Sequence, residues 1–204
     1  MIEISLSGAR VAFTAREDGD VREAEGLTAV EVLAGRPLAR GTQVHGSEVR
    51  IVTESTPELD EADGQVTARD DVAVMVQVAD CLPIAIAGEG AVAMIHGGWR
   101  GIAAGVIEEG VRALREAGAQ PPLVAVIGPG ARGCCYEVGD EVREAFGETS
   151  RKVDLATIAA RRLAAAGVEQ IEDIGGCTIC NDAYFSFRRE GEAAGRQAGV
   201  AWRT

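Results

Sequence analysis

Only two of the 204 residues are histidine, His45 and His96, only Lys152 is a lysine, and aromatic side chains make up 4%. Imidazole supplies most transition-metal ligation and much acid/base catalysis near neutral pH. Any such chemistry must therefore run through His45 or His96. A centre of several copper ions cannot be built from two imidazoles, and copper is not expected. No stretch approaches 18 uninterrupted apolar residues, which leaves no candidate for a membrane-spanning helix. The first twenty residues, MIEISLSGARVAFTAREDGD, lack a basic segment followed by a long apolar run, so no secretory leader is expected. A net charge of −12 with no Lys/Arg-rich tract excludes a nucleic-acid backbone as the natural partner, because phosphate neutralisation needs a basic surface. A pocket for one small anion stays compatible with that balance. Five cysteines without a leader point to a reducing, cytoplasmic setting where Cys serves as core, ligand or nucleophile rather than as disulfide.

What is present is 47% hydrophobic and 25% charged residues, the composition of a globular chain. No repeat or Pro/Ser-rich linker divides it, so residues 1–204 read as a single domain. Residues 1–13 alternate apolar and polar side chains and predict strands. Thr28-Ala-Val-Glu31 has the form of a capping box and predicts a short helix to about Gly35. Segments 49–53, 72–78, 84–87, 91–95 and 123–127 are apolar and β-branched, as buried strands are. Apolar positions 102, 106, 107, 111 and 114 recur at helical spacing and predict a helix over 102–117. Further helices are expected at 139–146 and 154–166, a strand at 171–174, and a final strand pair at 184–188 and 198–202. Strands and helices mix without regular βαβ alternation. That pattern favours an α+β fold, mixed sheets flanked by helices, over a doubly wound sheet.

Both histidines and Cys81 fall at strand ends or turns, in Gln43-Val-His45-Gly46, Ala79-Asp80-Cys81-Leu82-Pro83 and His96-Gly97-Gly98-Trp99-Arg100-Gly101. Two imidazoles and a thiolate make a three-donor set that leaves a fourth position on zinc open, the pattern of catalytic rather than structural zinc. Water on such an ion ionises near neutral pH. Asp80 is then a candidate general base or an orienter of the neighbouring ligand. The alternative for each His is a satisfied turn or core residue, and for Cys81 a small buried side chain. Cys177-Thr-Ile-Cys180 could grip a metal, form a redox pair or simply pack, since no second C-x-x-C or H-x₃₋₅-H accompanies it. Arg100, in a Gly-rich turn with Gly98 at a helix start, suits phosphate or carboxylate. A second Gly-rich turn presents Arg132 for anion contacts and Tyr136 for stacking on a planar base, although capping and packing explain both turns equally well. The chain has no G-x-S-x-G, no G-x-x-x-x-G-K-[ST], no H-E-x-x-H and no H-x-E with P-C-x-x-C, which removes four enzyme classes.

Six ordered segments, TQVHG (42–46), EADGQVT (61–67), VADCLPI (78–84), HGGWRG (96–101), IGPGARGCCYEVGDEV (127–142) and CTIC…YFSFRREG…GRQAGVAW (177–202), together resemble the multicopper polyphenol oxidase (laccase-like) family. Its bacterial members are described as purine nucleoside phosphorylases or as a peptidoglycan editing factor. The resemblance implies the α+β fold shared with a cytotoxic necrotizing factor, and one zinc ion per chain on His45, Cys81 and His96. It also implies phosphorolysis of adenosine, inosine, guanosine and methylthioadenosine, with adenosine deamination at the same site; purine nucleoside and phosphate would be the small-molecule partners. Residues 14–41 are shorter than the family's N-terminal region and lack its Asn-Leu-Gly and Asn-Arg motifs, and Gly97 replaces its usual Ala. Three competing readings remain: a metal-free cysteine hydrolase with Cys81 as nucleophile and His96 as base, an amidase editing peptidoglycan precursors, and a zinc-binding protein without catalysis. Oligomeric state is not legible.

Overall fold

A computed structural model describes residues 1–54 and 58–204. Its strands are β1 (Ile2–Leu6), β2 (Ala9–Phe13), β3 (Leu38–Thr42), β4 (Val49–Val52), β5 (Glu58–Glu61), β6 (Gly64–Thr67), β7 (Ala73–Val78), β8 (Leu82–Glu89), β9 (Ala91–Gly97), β10 (Gln120–Ile127), β11 (Gln170–Asp173) and β12 (Gln197–Arg203). The helices are α1 (Ala24–Ala34), α2 (Trp99–Ala104), α3 (Val106–Glu116), α4 (Asp140–Phe146), α5 (Leu155–Ala165) and α6 (Phe187–Glu190). The strands form two mixed sheets, in the orders β1-β2-β12-β7-β3-β5 and β11-β10-β8-β9-β6-β4. The architecture is α+β, as the mixed pattern of elements predicted.

Strand alternation sorts the apolar side chains into three layers. Val11, Phe13, Val74, Val76 and Val78 of the first sheet meet Ala85, Ala87, Val92 and Met94 of the second between the sheets. The opposite face of the second sheet, with Ile84, Ile86, Ala93 and Ile95, packs under α3 and α5. The outer face of the first sheet, with Ala12, Met75, Val200 and Trp202, packs against Val30 and Ala34 of α1. The central strands are covered on both faces, which is why segments such as VAVMVQV read as continuous apolar runs without polar alternation.

Several elements differ from the sequence expectation. Helix α1 starts at Ala24 with Glu23 as its N-cap, so Thr28 lies inside it and makes no capping box. The expected helix over 102–117 begins earlier, at Trp99, and is broken at Gly105, whose left-handed φ of 97° ends α2 and starts α3. The expected strand at 184–188 is a loop running into α6. There Ser186 accepts from the Arg189 amide and the Arg188 amide bonds Asp80, so main-chain donors a strand would use are spent on a turn. Strands β3, β5 and β6 are too short and polar to carry a periodic signal of their own.

At Gly199 of β12 the two sheets approach closely: a Cβ there would lie 2.6 Å from Pro83 Cβ on β8 and 3.0 Å from Met94 Sδ on β9. Gly199→Ala forces a side chain into a filled layer, and we expect a loss of about 1–3 kcal/mol, read as a lower urea midpoint at unchanged slope. An unchanged midpoint would mean that the sheets part there without cost.

Candidate metal centre

Four strand ends converge at one edge of the sandwich. His45 follows β3, Asp63 precedes β6, Cys81 lies in the turn from β7 to β8, and His96 sits near the end of β9. One ligand atom from each of His45, Cys81 and His96 lies within 4.8 Å of the others, a group that could hold a metal ion. The two imidazole rings meet edge to face, centroids 4.8 Å apart.

The group is assembled around a residue that sequence reasoning passed over. Asp63 is fully buried and its carboxylate accepts from the main-chain N–H of Val44 at 3.1 Å, His45 at 2.9 Å and Gly46 at 2.7 Å. Its Oδ1 also lies 2.7 Å from His96 Nδ1, and its own carbonyl accepts from the His96 amide at 2.7 Å. With Nδ1 committed to a carboxylate, His96 keeps Nε2 for a metal, the arrangement that orients zinc-bound histidine. The three amides also stabilise the left-handed backbone of His45, at φ 62°, a conformation that disfavours a side chain. Burial alone would raise the Asp63 pKa, but His96 and the loop amides hold it below the usual carboxylate range. The only signal available in the sequence was an acidic residue three positions before Val66, inside a segment quoted for its resemblance.

Without a metal, Cys81 and His96 form a charged pair. Burial pushes the Cys81 thiol up, but the imidazolium of His96 and hydrogen bonding from both histidines outweigh it and bring it down to about 6. Burial likewise lowers His96, and the Cys81 thiolate together with Asp63 lifts it to about 9. A soft thiolate between two imidazoles, one of them held in a fixed tautomer, fits a borderline-soft divalent ion such as zinc.

The donors open into a cleft of about 610 Å³. Arg22, Arg100, Arg188 and Arg196 line it, as do Trp99, Tyr136 and Phe187. Asp80 reaches the cleft, but both its oxygens are taken: Oδ1 by the Thr178 hydroxyl at 2.6 Å and Oδ2 by the Arg188 amide at 2.7 Å. Arg100 stacks on Trp99 at 4.4 Å and lies 3.5 Å from Glu141, both partners well exposed. Tyr136 is buried beneath Arg188, whose guanidinium sits 4.9 Å from the ring. Arg132 is not brought to the cleft. Its guanidinium pairs with Asp173 at 2.9 Å and donates to the carbonyls of Gly128 and Gly175. Gly98 does reach the centre, because a Cβ on it would sit 2.9 Å from His45 Cδ2 and 3.2 Å from Cys81 Sγ. The missing side chain lets two ligands close in.

A family model described as multi-copper polyphenol oxidoreductase laccase matches residues 14–204. A purine nucleoside phosphorylase of Aquifex aeolicus is 30% identical over 190 residues, covering 84% of this chain and 91% of that protein. The purine nucleoside phosphorylase YfiH of Escherichia coli is 35% identical over 177 residues, covering 78% and 71%. A crystal structure of a Neisseria meningitidis protein superposes with a TM-score of 0.89 at 27% identity, over 99% of this chain and 98% of that one.

Asp63→Asn swaps an acceptor oxygen for an N–H that must face other donors. We expect a stability loss of about 2–4 kcal/mol and weaker zinc binding by roughly 10–100-fold, measured by urea unfolding and competitive zinc titration. If zinc affinity is unchanged, the carboxylate is not the orienting group. In chelator-treated protein, iodoacetamide should alkylate Cys81 with a pH midpoint near 6; a midpoint near that of an ordinary thiol would show that His96 is not charged beside it.

Proposed function

The chain belongs to the multi-copper polyphenol oxidoreductase laccase family, and from that membership we propose that it is a zinc-dependent purine nucleoside phosphorylase that also deaminates adenosine. The observation carrying this reading is the His45/Cys81/His96 group at the floor of a cleft lined by arginine and aromatic side chains. The relatives named purine nucleoside phosphorylase support the substrate class. Zinc on these three donors supplies a Lewis acid with one coordination position left by the protein.

The remaining work falls to the cleft's own side chains. Phosphate is anionic and the chain carries a net charge of −12, so cations must be concentrated where it binds. Arg100 and Arg188 are the candidates: the Arg100 head group is largely exposed beside Glu141, and Arg188 faces the cleft over Tyr136. The Trp99 ring, with Arg100 on one face, offers a flat apolar surface for a purine, whereas Tyr136 is covered by Arg188 and supports that guanidinium. Asp80, its oxygens already occupied, acts by holding Arg188 and Thr178 in place rather than by moving a proton. Gly98 serves the ligands instead of the phosphate.

One second reading has an observation of its own. The Cys81 thiolate beside a His96 imidazolium is the arrangement of a metal-free cysteine hydrolase, with Cys81 as nucleophile and His96 as base.

Zinc-loaded protein incubated with adenosine and inorganic phosphate should yield adenine and ribose 1-phosphate only when phosphate is present, and inosine by the parallel deamination, both followed by chromatography. Arg100→Ala should raise the KM for phosphate by roughly 10-fold or more, the worth of one charged hydrogen bond, with less effect on the nucleoside KM. Activity that survives chelation but is lost to iodoacetamide would replace this reading with the thiol hydrolase; no product from adenosine with zinc bound would end it.

A further inference from the structure

A second cluster of soft ligands lies behind the wall of the cleft. Cys134 and Cys135 come from the loop after β10, and Cys177 and Cys180 from the loop before α6, yet their four sulfurs all lie within 4.8 Å of one another. The fold thus supplies the partner pair that Cys177-Thr-Ile-Cys180 lacked in sequence. We propose that Cys134, Cys135, Cys177 and Cys180 form a second metal site, a closed tetrathiolate centre for one zinc ion that staples the two loops together.

The geometry favours an ion over a disulfide. The Sγ atoms of Cys134 and Cys180 are 3.8 Å apart. A disulfide needs about 2.05 Å, whereas zinc–sulfur bonds of about 2.3 Å directed to the corners of a tetrahedron put the sulfurs about 3.8 Å apart. Four sulfurs within a sphere of that size leave room for a single ion. Four thiolates satisfy the full coordination of zinc and leave no open position, which makes the site structural where the His45/Cys81/His96 group is open.

The surroundings suit such a centre. A zinc ion with four thiolates carries a net charge of about −2, and two cations bond carbonyls of its loops, Arg189 also pairing with Glu190. Lys152, the chain's only lysine, donates to the Cys134 carbonyl at 3.1 Å. Arg189 donates to the carbonyls of Thr178 at 2.7 Å and Ile179 at 3.0 Å, gripping the turn between the two ligands of the second loop. The backbone already joins the loops at Gly130, which accepts from the Thr178 amide at 3.1 Å and donates to the Gly176 carbonyl at 3.1 Å.

The site also has a structural target. Tyr136 follows directly on Cys135, and Thr178, next to Cys177, holds the Asp80 carboxylate adjacent to Cys81. The staple therefore fixes the wall that carries Tyr136 and Arg188, while its four sulfurs are separate from the donors His45, Cys81 and His96.

The test uses the full chain purified under reducing conditions and reconstituted with zinc. Elemental analysis should find about two zinc ions per chain, one retained in His45→Ala/Cys81→Ala and one retained in Cys177→Ser/Cys180→Ser. Should the serine variant fail to fold, the unaltered chain decides. Maleimide labelling followed by peptide mass analysis should leave all four cysteines unmodified with zinc bound, and modify all four once a strong chelator is added. Cys134 and Cys180 are exposed, so without an ion they must label freely. A single zinc per chain that vanishes with His45→Ala/Cys81→Ala, labelling of the four thiols that zinc does not change, or a Cys134–Cys180 disulfide in the zinc-treated protein would each overturn the assignment. Because that count is taken on ligands separate from His45, Cys81 and His96, its failure and the failure of the nucleoside reading are independent.

Discussion

The carboxylate of Asp63 has no contact with water, and an isolated ionised carboxylate in such a position is costly unless its oxygens are fully bonded. Three consecutive loop amides and the ring of His96 meet that demand. Satisfying one buried charge therefore folds the QVHG loop, forces His45 into a left-handed backbone and selects the tautomer of His96. One carboxylate thus places both residues, His45 through its backbone and His96 through its ring. The sheet supplies the rest: β6 lies beside β9, with Gly64 opposite Ile95, so Asp63 and His96 are neighbours by register before any side chain is considered.

The elements covered on both faces were legible because burial on two sides writes an unbroken apolar run, as in β7 and β8. Short edge strands such as β3 and β5 carry Arg40, Thr42 and Glu58 with no period to detect, and only pairing with neighbours makes them strands. The stretch around Phe185 and Phe187 has strand-like composition, but its main-chain donors are claimed by Ser186 and by Asp80, a residue over a hundred positions away. Local propensity loses to tertiary contacts there. Among the candidate site residues, His45, Cys81 and His96 stood out because imidazole is so scarce. Asp63 did not, because its partners are mostly backbone amides, which every residue has, and only the fold decides which of them it meets. Arg132 looked like an anion ligand for the converse reason: a Gly-rich turn with an arginine is the same in sequence whether the guanidinium faces a ligand or, as with Asp173 and two carbonyls, the protein itself.

Charge is distributed against the chain's overall sign. An excess of acidic residues covers the surface, and many surface arginines are neutralised locally, as Arg112 is between Glu109 and Glu116. Along the cleft four arginines gather beside His45, Cys81 and His96: Arg22 pairs with Asp20 and Arg100 lies near Glu141, whereas Arg188 and Arg196 donate to main-chain carbonyls. Cations held in a concave wall act over a shorter range than the chain's overall negative charge, so the local and the net sign differ at the cleft.

The two groups of soft ligands differ in what surrounds them, and the difference follows their expected work. Four cysteines at the loop junction meet cations and carbonyls and leave an ion no vacant position. At the strand ends one thiolate is set among two imidazoles and a carboxylate, and the pair Cys81/His96 holds opposite charges before any ion arrives. The thiolate is then ready as a ligand at neutral pH, whereas His96 must give up a proton to become one. Asp63 accepts the proton that stays on Nδ1, so Nε2 is the nitrogen that gives one up, and the buried carboxylate both directs the ring towards the other donors and favours a cation on it. Orientation and affinity would thus come from one carboxylate that takes no coordination position of its own, which leaves the side of the group facing the cleft open.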